Sequence, residues 1–204
     1  MKSKKTILSV AIALLLICAI GSTVAWLTAD GGTVTNTFTE SNIDITLTET
    51  TGNTYKMIPG WTIDKDPKVT VEAGSEACWL FVEVTESANF DTFMEYAIAG
   101  GWKLYDAAQE TDVDIPDDTD GTFVLCRKVA ANATEDSAFT ILSENKVTVK
   151  ETVTKSDMDN NTSEPSLSFK AYAVQLYKSN KDVNGNDTLV EFTAKEAWDN
   201  RPTA

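Results

Sequence analysis

The 204-residue sequence contains no histidine. This removes the usual general base near neutral pH, every Ser-His or Cys-His nucleophile pair, and the commonest zinc ligand. Cysteine is almost as scarce: Cys18 lies in an N-terminal apolar run, which leaves Cys78 and Cys126 in the rest of the chain. Positive charge is also thin, with 17 Lys and Arg against 31 Asp and Glu, a formal net charge of −14. Such a surface repels polyphosphate and anionic lipid, which excludes a nucleic-acid-binding role. It favours solubility and leaves room for calcium or basic partners. No internal repeat, low-complexity tract or second domain interrupts the chain.

The N-terminus carries what the rest lacks, basic residues followed by a long apolar run. Lys2, Lys4 and Lys5 precede an apolar stretch from Ile7 to Ile20 broken only by Ser9, and Gly21, Ser22, Thr23 and Ala25 then supply small residues. That order is the layout of a secretory signal peptide, with cleavage expected between Ala25 and Trp26. An uncleaved anchor is the alternative, since Ile7 to Leu27 is just long enough to cross a bilayer. Against it, Gly21 to Thr23 weaken the helix and no stop-transfer cluster follows. Cys18 does not make a lipoprotein signal, because Ile17 before it is bulky. The expected organisation is a signal peptide at 1–25, a flexible arm at 26–37 and one domain at 38–204. The membrane then enters only through the uncleaved signal segment, and the signal peptidase is a partner during export.

Beyond the arm the chain has strand periodicity. Ile43, Ile45 and Leu47 alternate with Asp44, Thr46 and Thr48, and Val69 and Val71 continue the pattern after a Pro59-Gly60 turn and a bend at Asp66-Pro67. Ala77 to Thr85 reads as a central strand: Cys78, Leu80, Val82 and Val84 share one face and Trp79 and Phe81 the other. Phe90 to Ala97 is spaced like a helix. Further strands are expected at Phe123 to Val129, Lys146 to Val153 and Leu167 to Tyr177, the last apolar on both faces, with a polar loop at Ser156 to Pro165. Thr193 and Glu196 form a capping box, predicting a short helix from Ala194 to Asn200 with Trp198 turned inward. Seven or eight strands with little helix make a β-sandwich the economical architecture.

Three residue groups are candidate sites. Asn180, Asp182, Asn184, Gly185, Asn186 and Glu191 have the spacing of an EF-hand calcium loop; Asn at its first position, Asp187 in place of an apolar residue and a preceding strand argue instead for a plain Asn-Gly hairpin. The acidic loop with Asp112, Asp114, Asp117, Asp118 and Asp120 reads as a solvated charge run with the capacity to hold a cation. Cys78 and Cys126 are open to two readings: one extracellular disulfide, or two free buried thiols. Trp79, Trp102 and Trp198 read as core residues, and no carboxylate pair is fixed at a separation that would serve glycoside hydrolysis.

Several blocks occur together in one order: GSTVAWLTADGGTVTNTF running into NIDITLTET, Met57 to Gly60 followed by Ile63 to Pro67, Cys78 to Val84, Lys170 to Gln175, and Glu196 to Trp198. This series resembles TasA/camelysin-like proteins, which are exported through a SipW-type signal peptidase. The resemblance implies a jelly-roll β-sandwich secreted by a Gram-positive bacterium to its surface or biofilm matrix. It further implies fibres in which the N-terminal strand of one subunit completes the sheet of the next, here with Trp26 to Phe38 as donor. The arm has a second option, pairing within its own sheet. The family includes proteins labelled metallopeptidases, but this sequence has no His-Glu-x-x-His motif. The expectation is therefore a non-enzymatic structural protein without a cofactor, whose partners are its own copies or other surface and matrix proteins. The alternative is a monomeric extracellular binding module, stabilised by calcium.

Overall fold

The computed structural model describes residues 42–202, except Asn53, residues 107–110, residues 116–120 and Ala133. The signal segment at 1–25, its junction at Ala25 and Trp26, and the arm at 26–37 lie outside the described residues. So do Asp117, Asp118 and Asp120.

Two antiparallel layers enclose one core, and a helix covers the far side of one of them. The larger layer is built on β4 (Cys78–Glu86). It pairs with β8 (Thr122–Val129) on one side and with β11 (Leu167–Gln175) on the other. Beyond β8 lie β6 (Lys103–Asp106) and β7 (Thr111–Val113), giving the order β11-β4-β8-β6-β7. The second layer contains β1 (Ile45–Thr48), β3 (Lys68–Val71) and β9 (Ser137–Thr140) in one sheet, and β2 (Thr62–Asp64), β10 (Lys146–Val149) and β5 (Met94–Glu95) in another.

These two small sheets are one kinked ladder. Between β2 and β3 the chain bends at Lys65-Asp66-Pro67, and opposite it β9 and β10 are separated by a short 3-10 turn, Ser143–Asn145, whose Glu144 and Asn145 have φ of 54° and 57°. Hydrogen bonds bridge the break from Lys65 N to Asn145 O at 2.7 Å and from Ile141 N to Pro67 O at 3.0 Å. Asp66 fastens the loop after β1 to the same bend: its carboxylate accepts from Thr50 N and Oγ1 at 2.8 and 2.5 Å and from Thr51 N and Oγ1 at 3.1 and 3.0 Å. Those bonds, led by the Thr50 hydroxyl, hold its carboxyl well below the usual carboxylate range.

Successive strands pass from one layer to the other: β3 to β4, β4 to β5, β5 to β6, β8 to β9 and β10 to β11. The architecture is the expected all-β, jelly-roll-like sandwich. Its core joins Ile63, Val69, Val71, Val147 and Val149 of one layer to Cys78, Leu80, Val82, Val84, Phe123 and Leu125 of the other. The opposite face of the large layer carries Trp79, Phe81, Tyr105, Tyr172 and Val174. These are covered by α3 (Ala194–Asp199), whose Thr193–Glu196 capping box has both reciprocal hydrogen bonds. Trp198 packs against Phe81, Tyr105 and Tyr172 at ring distances of 5.3, 5.7 and 5.7 Å. The strand faces of β4 are thus those read from its alternation.

Three expectations about local structure need correction. Phe90 to Ala97 is not a helix: α1 (Phe90–Phe93) makes one turn and the chain continues directly into β5. The polar stretch after Val153 is not all loop, because Thr154 and Asp157 cap a short helix, α2 (Lys155–Asp159). The strand expected to run to Val153 ends at Val149, with Val153 buried in the following turn. The Pro59-Gly60 turn stands as read: Trp61 N donates to Ile58 O at 2.9 Å, and Gly60 takes the positive φ of 75° that a type II turn needs.

Candidate assembly surface

The layers meet along a seam where, among the described residues, neither margin has a ladder partner. Among the described residues β11 pairs with β4 alone and β1 with β3 alone, while β1 runs beside β11 without joining it. Ladder alternation fixes which main-chain groups face this seam. Leu176 N donates to Ala77 O at 2.8 Å, which places Ser168, Lys170, Tyr172 and Val174 on the β4 side. The N–H and C=O groups of Leu167, Phe169, Ala171, Ala173 and Gln175 therefore point outward. By the same rule, the bond from Glu72 N to Asp44 O at 2.9 Å leaves Ile45 and Leu47 facing outward from β1. A cleft of 370 Å³ opens there, lined by Ile43, Ala173, Val174, Gln175, Phe192 and neighbours from the C-terminus.

The edge is long and chemically plain. β11 spans nine residues, half-buried at Phe169, Ala171 and Ala173 on the core side and buried at Tyr172 and Val174 on the helix side. Its apolar character on both faces arises because the core covers one and α3 the other; it does not mean that a strand lies on each side. Sequence pattern reads faces and is blind to edges, so nothing in Leu167 to Gln175 distinguished an outer strand from a central one.

The calcium candidate is a hairpin. Asn180, at the end of β12 (Tyr177–Lys181), pairs with Thr188 of β13 (Asp187–Glu191). Glu191 lies at the far end of that ladder opposite Tyr177, about 14 Å of strand away from the turn. Asp182 is spent on the turn itself, accepting from Asn184 N and Asn186 N at 2.8 Å each and from Asn186 Nδ2 at 3.0 Å. Those contacts, the Asn186 side chain first, lower its carboxyl below the ordinary Asp value. Asn180 Oδ1 accepts from Lys181 N, and Glu191 pairs with Lys128 Nζ at 2.5 Å. The residues that match the EF-hand spacing are therefore not brought round one point, because the segment folds as a ladder and not as a wrapping loop.

Of the two open readings of the cysteines, the geometry fits free thiols. Cys78 and Cys126 are both free and buried. Cys126 is opposite Phe81 in the ladder, so its side chain joins the helix-side cluster, whereas Cys78 faces the sandwich core. Thiols on opposite faces of one sheet cannot bond without turning a strand over. Burial pushes the Cys78 thiol up to about 11.

In the acidic loop, Asp112 falls within β7 and Asp114 is exposed with Lys103 Nζ at 3.6 Å. Among the described residues no group of three or more His, Cys, Asp or Glu side chains is placed to hold a metal. A further cleft, of 430 Å³, is lined by Glu86, Asp91, Glu95 and Tyr96. Its buried Glu86 accepts from the Tyr96 hydroxyl and, at 2.9 Å, from Gly121 N, so it is fully used in closing the base of the preceding loop. Burial, reinforced by that carboxylate, raises the Tyr96 phenol. No protein-family model, curated protein or solved structure matches the chain.

Proposed function

We propose that this is a secreted, non-enzymatic structural protein of a bacterial cell surface or biofilm matrix, assembling into fibres by strand addition. The supporting observation is that, among the described residues, the outward main-chain groups of β11 and β1 have no ladder partner, with a cleft beside the C-terminal end of β11. An extended arm from Trp26 to Phe38 would reach about 43 Å, more than the roughly 30 Å of a nine-residue acceptor. Main-chain hydrogen bonds would supply affinity and alternate side chains register. Release of the arm by cleavage after Ala25 ties assembly to export, which keeps the protein from polymerising before it leaves the cell. The missing histidine and the resemblance to matrix proteins support the same reading.

The test compares the chain beginning at Trp26 with one beginning at Thr35, by size-exclusion chromatography and electron microscopy. Filaments from the longer chain alone are expected. Identical monomers from both would overturn strand donation.

A further inference from the structure

Trp61 is the exception among the described tryptophans. Trp79 and Trp102 are buried and Trp198 is covered by aromatic neighbours, but Trp61 is 59% exposed, beside Ile58 at 52%. It is nevertheless held firmly. Its N–H closes the Pro59-Gly60 turn onto Ile58 O and its C=O accepts from Val149 N at 2.9 Å. At Gly60 a Cβ would already touch Glu151 Cγ at 3.4 Å, so the turn is packed on its inner side. The pinned backbone therefore presents the largest side chain to water in a fixed position.

The cleft beside the ring has a volume of 480 Å³ and combines Tyr55, Ile58 and Trp61 with Lys56, Thr62 and Asp64. Among the described residues, the Lys56 ammonium and the Asp64 carboxylate have no hydrogen-bond or ion-pair partner. The ladder between β2 and β10 uses Trp61, Ile63 and Lys65, leaving the main-chain groups of Thr62 and Asp64 facing outward along the same side. An aromatic platform is therefore ringed by free donors and acceptors within a few residues.

From this geometry we infer that the Trp61 cleft binds a neutral polysaccharide. The apolar face of a pyranose ring stacks on the indole. Its hydroxyls donate to Asp64 and accept from Lys56 and the free N–H groups. Size argues against a protein occupant: Trp61 and Ile58 together expose on the order of 250 Å², against roughly 800 Å² per partner in a stable protein interface. Charge argues against an acidic polymer, because the chain carries a formal −14. No residue of the cleft belongs to β1 or β11, so the inference stands apart from strand donation.

The test is non-denaturing affinity electrophoresis of the monomeric fraction of the chain from Trp26. Gels contain hydroxyethyl cellulose, a β-1,3-glucan or a galactomannan, with polygalacturonate as the anionic counterpart. At least one neutral polymer is expected to lower relative mobility twofold or more. Trp61→Ala should abolish the retardation, and Asp64→Asn should weaken it, both with unchanged circular dichroism. The inference is overturned if no neutral polymer retards the protein, if polygalacturonate alone does, or if Trp61→Ala is retarded as the parent is. A Trp61→Ala effect confined to the dissociation of a dimer would overturn it in favour of a second copy. Filament formation is scored separately, so failure of either idea is visible without the other.

Discussion

Proline placed at two adjacent positions of β11 reads the direction of the edge. Lys170 N–H points into β4, where Lys170 stands opposite Glu83, whereas Ala171 N–H points outward to the seam. Lys170→Pro deletes a ladder bond worth about 1 kcal/mol net and strands a carbonyl of the central strand at about 1–3 kcal/mol more. Its total cost is roughly 2–4 kcal/mol. Ala171→Pro deletes no ladder bond among the described residues, and its restricted unfolded chain offsets part of any strain, so its cost is expected to stay within about 1 kcal/mol. With urea m-values of about 1–3 kcal/mol/M, the two midpoints should differ by roughly 1 M. Urea titration followed by tryptophan fluorescence, made on the chain from Thr35, isolates the edge from the arm. Equal costs at the two positions would refute the geometry, because they would mean that the outer side of β11 is already paired. In the chain from Trp26, Ala171→Pro should fold normally and form no filaments.

Other expectations follow from single contacts. Phe81 is fully buried with Trp79, Tyr105 and Trp198 rings at 5.9, 6.2 and 5.3 Å, so Phe81→Ala should cost about 3–5 kcal/mol in urea unfolding. In the exported chain both remaining thiols should resist a disulfide reagent at pH 8 until guanidine unfolds the protein, and reductant should leave the mass unchanged; a 2 Da increase would restore the disulfide. Asp66, Asp157 and Asp182 have carboxyls lowered by hydrogen bonds from neighbouring loop and cap residues, and Glu196 is lowered first by the Lys178 ammonium and then by its cap residue Thr193. Groups lowered in the folded state stabilise it above their unfolded values of 3.8 to 4.5 and lose that contribution as pH falls further. The melting temperature should therefore be steady from pH 7 to 5 and drop below about pH 4; a protein equally stable at pH 3 would contradict the hydrogen-bond assignments.

Strong alternation and local capping were readable from residues alone, and features set by the neighbours of a strand were not. β4 has a full set of apolar residues on both faces at its start, and that placed it centrally; α3 has a Thr-x-x-Glu box, and that placed its first turn. β9 offers only Ser-Ala-Phe-Thr, too short to show a period, and its kink uses Glu144 and Asn145 in left-handed geometry where no glycine signals it. α2 is capped by Thr154 and Asp157 in a segment so polar that composition favours loop. Phe90 and Phe93 mimic a helix face because both are buried, yet the chain turns into β5 at Met94. For the site, the hairpin oxygens had the right spacing for calcium but the wrong backbone. The seam had no local signature, since an unpaired edge is a property of two layers and not of one strand.

The edges of this fold are unequally defended, and that inequality carries the assembly argument. β13 is flanked by ion pairs, Lys181 with Asp187 and Lys128 with Glu191, and β2 offers an edge of three residues. β11 offers nine residues with no proline and a single charge, Lys170. Sheet proteins ordinarily blunt an edge of that length, because it templates association. Within the reading proposed above, some extended segment fills the seam, and the choice lies between the chain's own arm and that of a neighbour. To fill its own seam the arm must reverse just before β1, somewhere in residues 38–42, which read Phe-Thr-Glu-Ser-Asn without glycine or proline. Tight hairpins favour Asn-Gly, Asp-Gly or Gly-led turns, and this stretch has none of them. Donation to a neighbour needs no such reversal. Association should accordingly be steeply dependent on protein concentration, as pairing between copies requires and pairing within one chain does not.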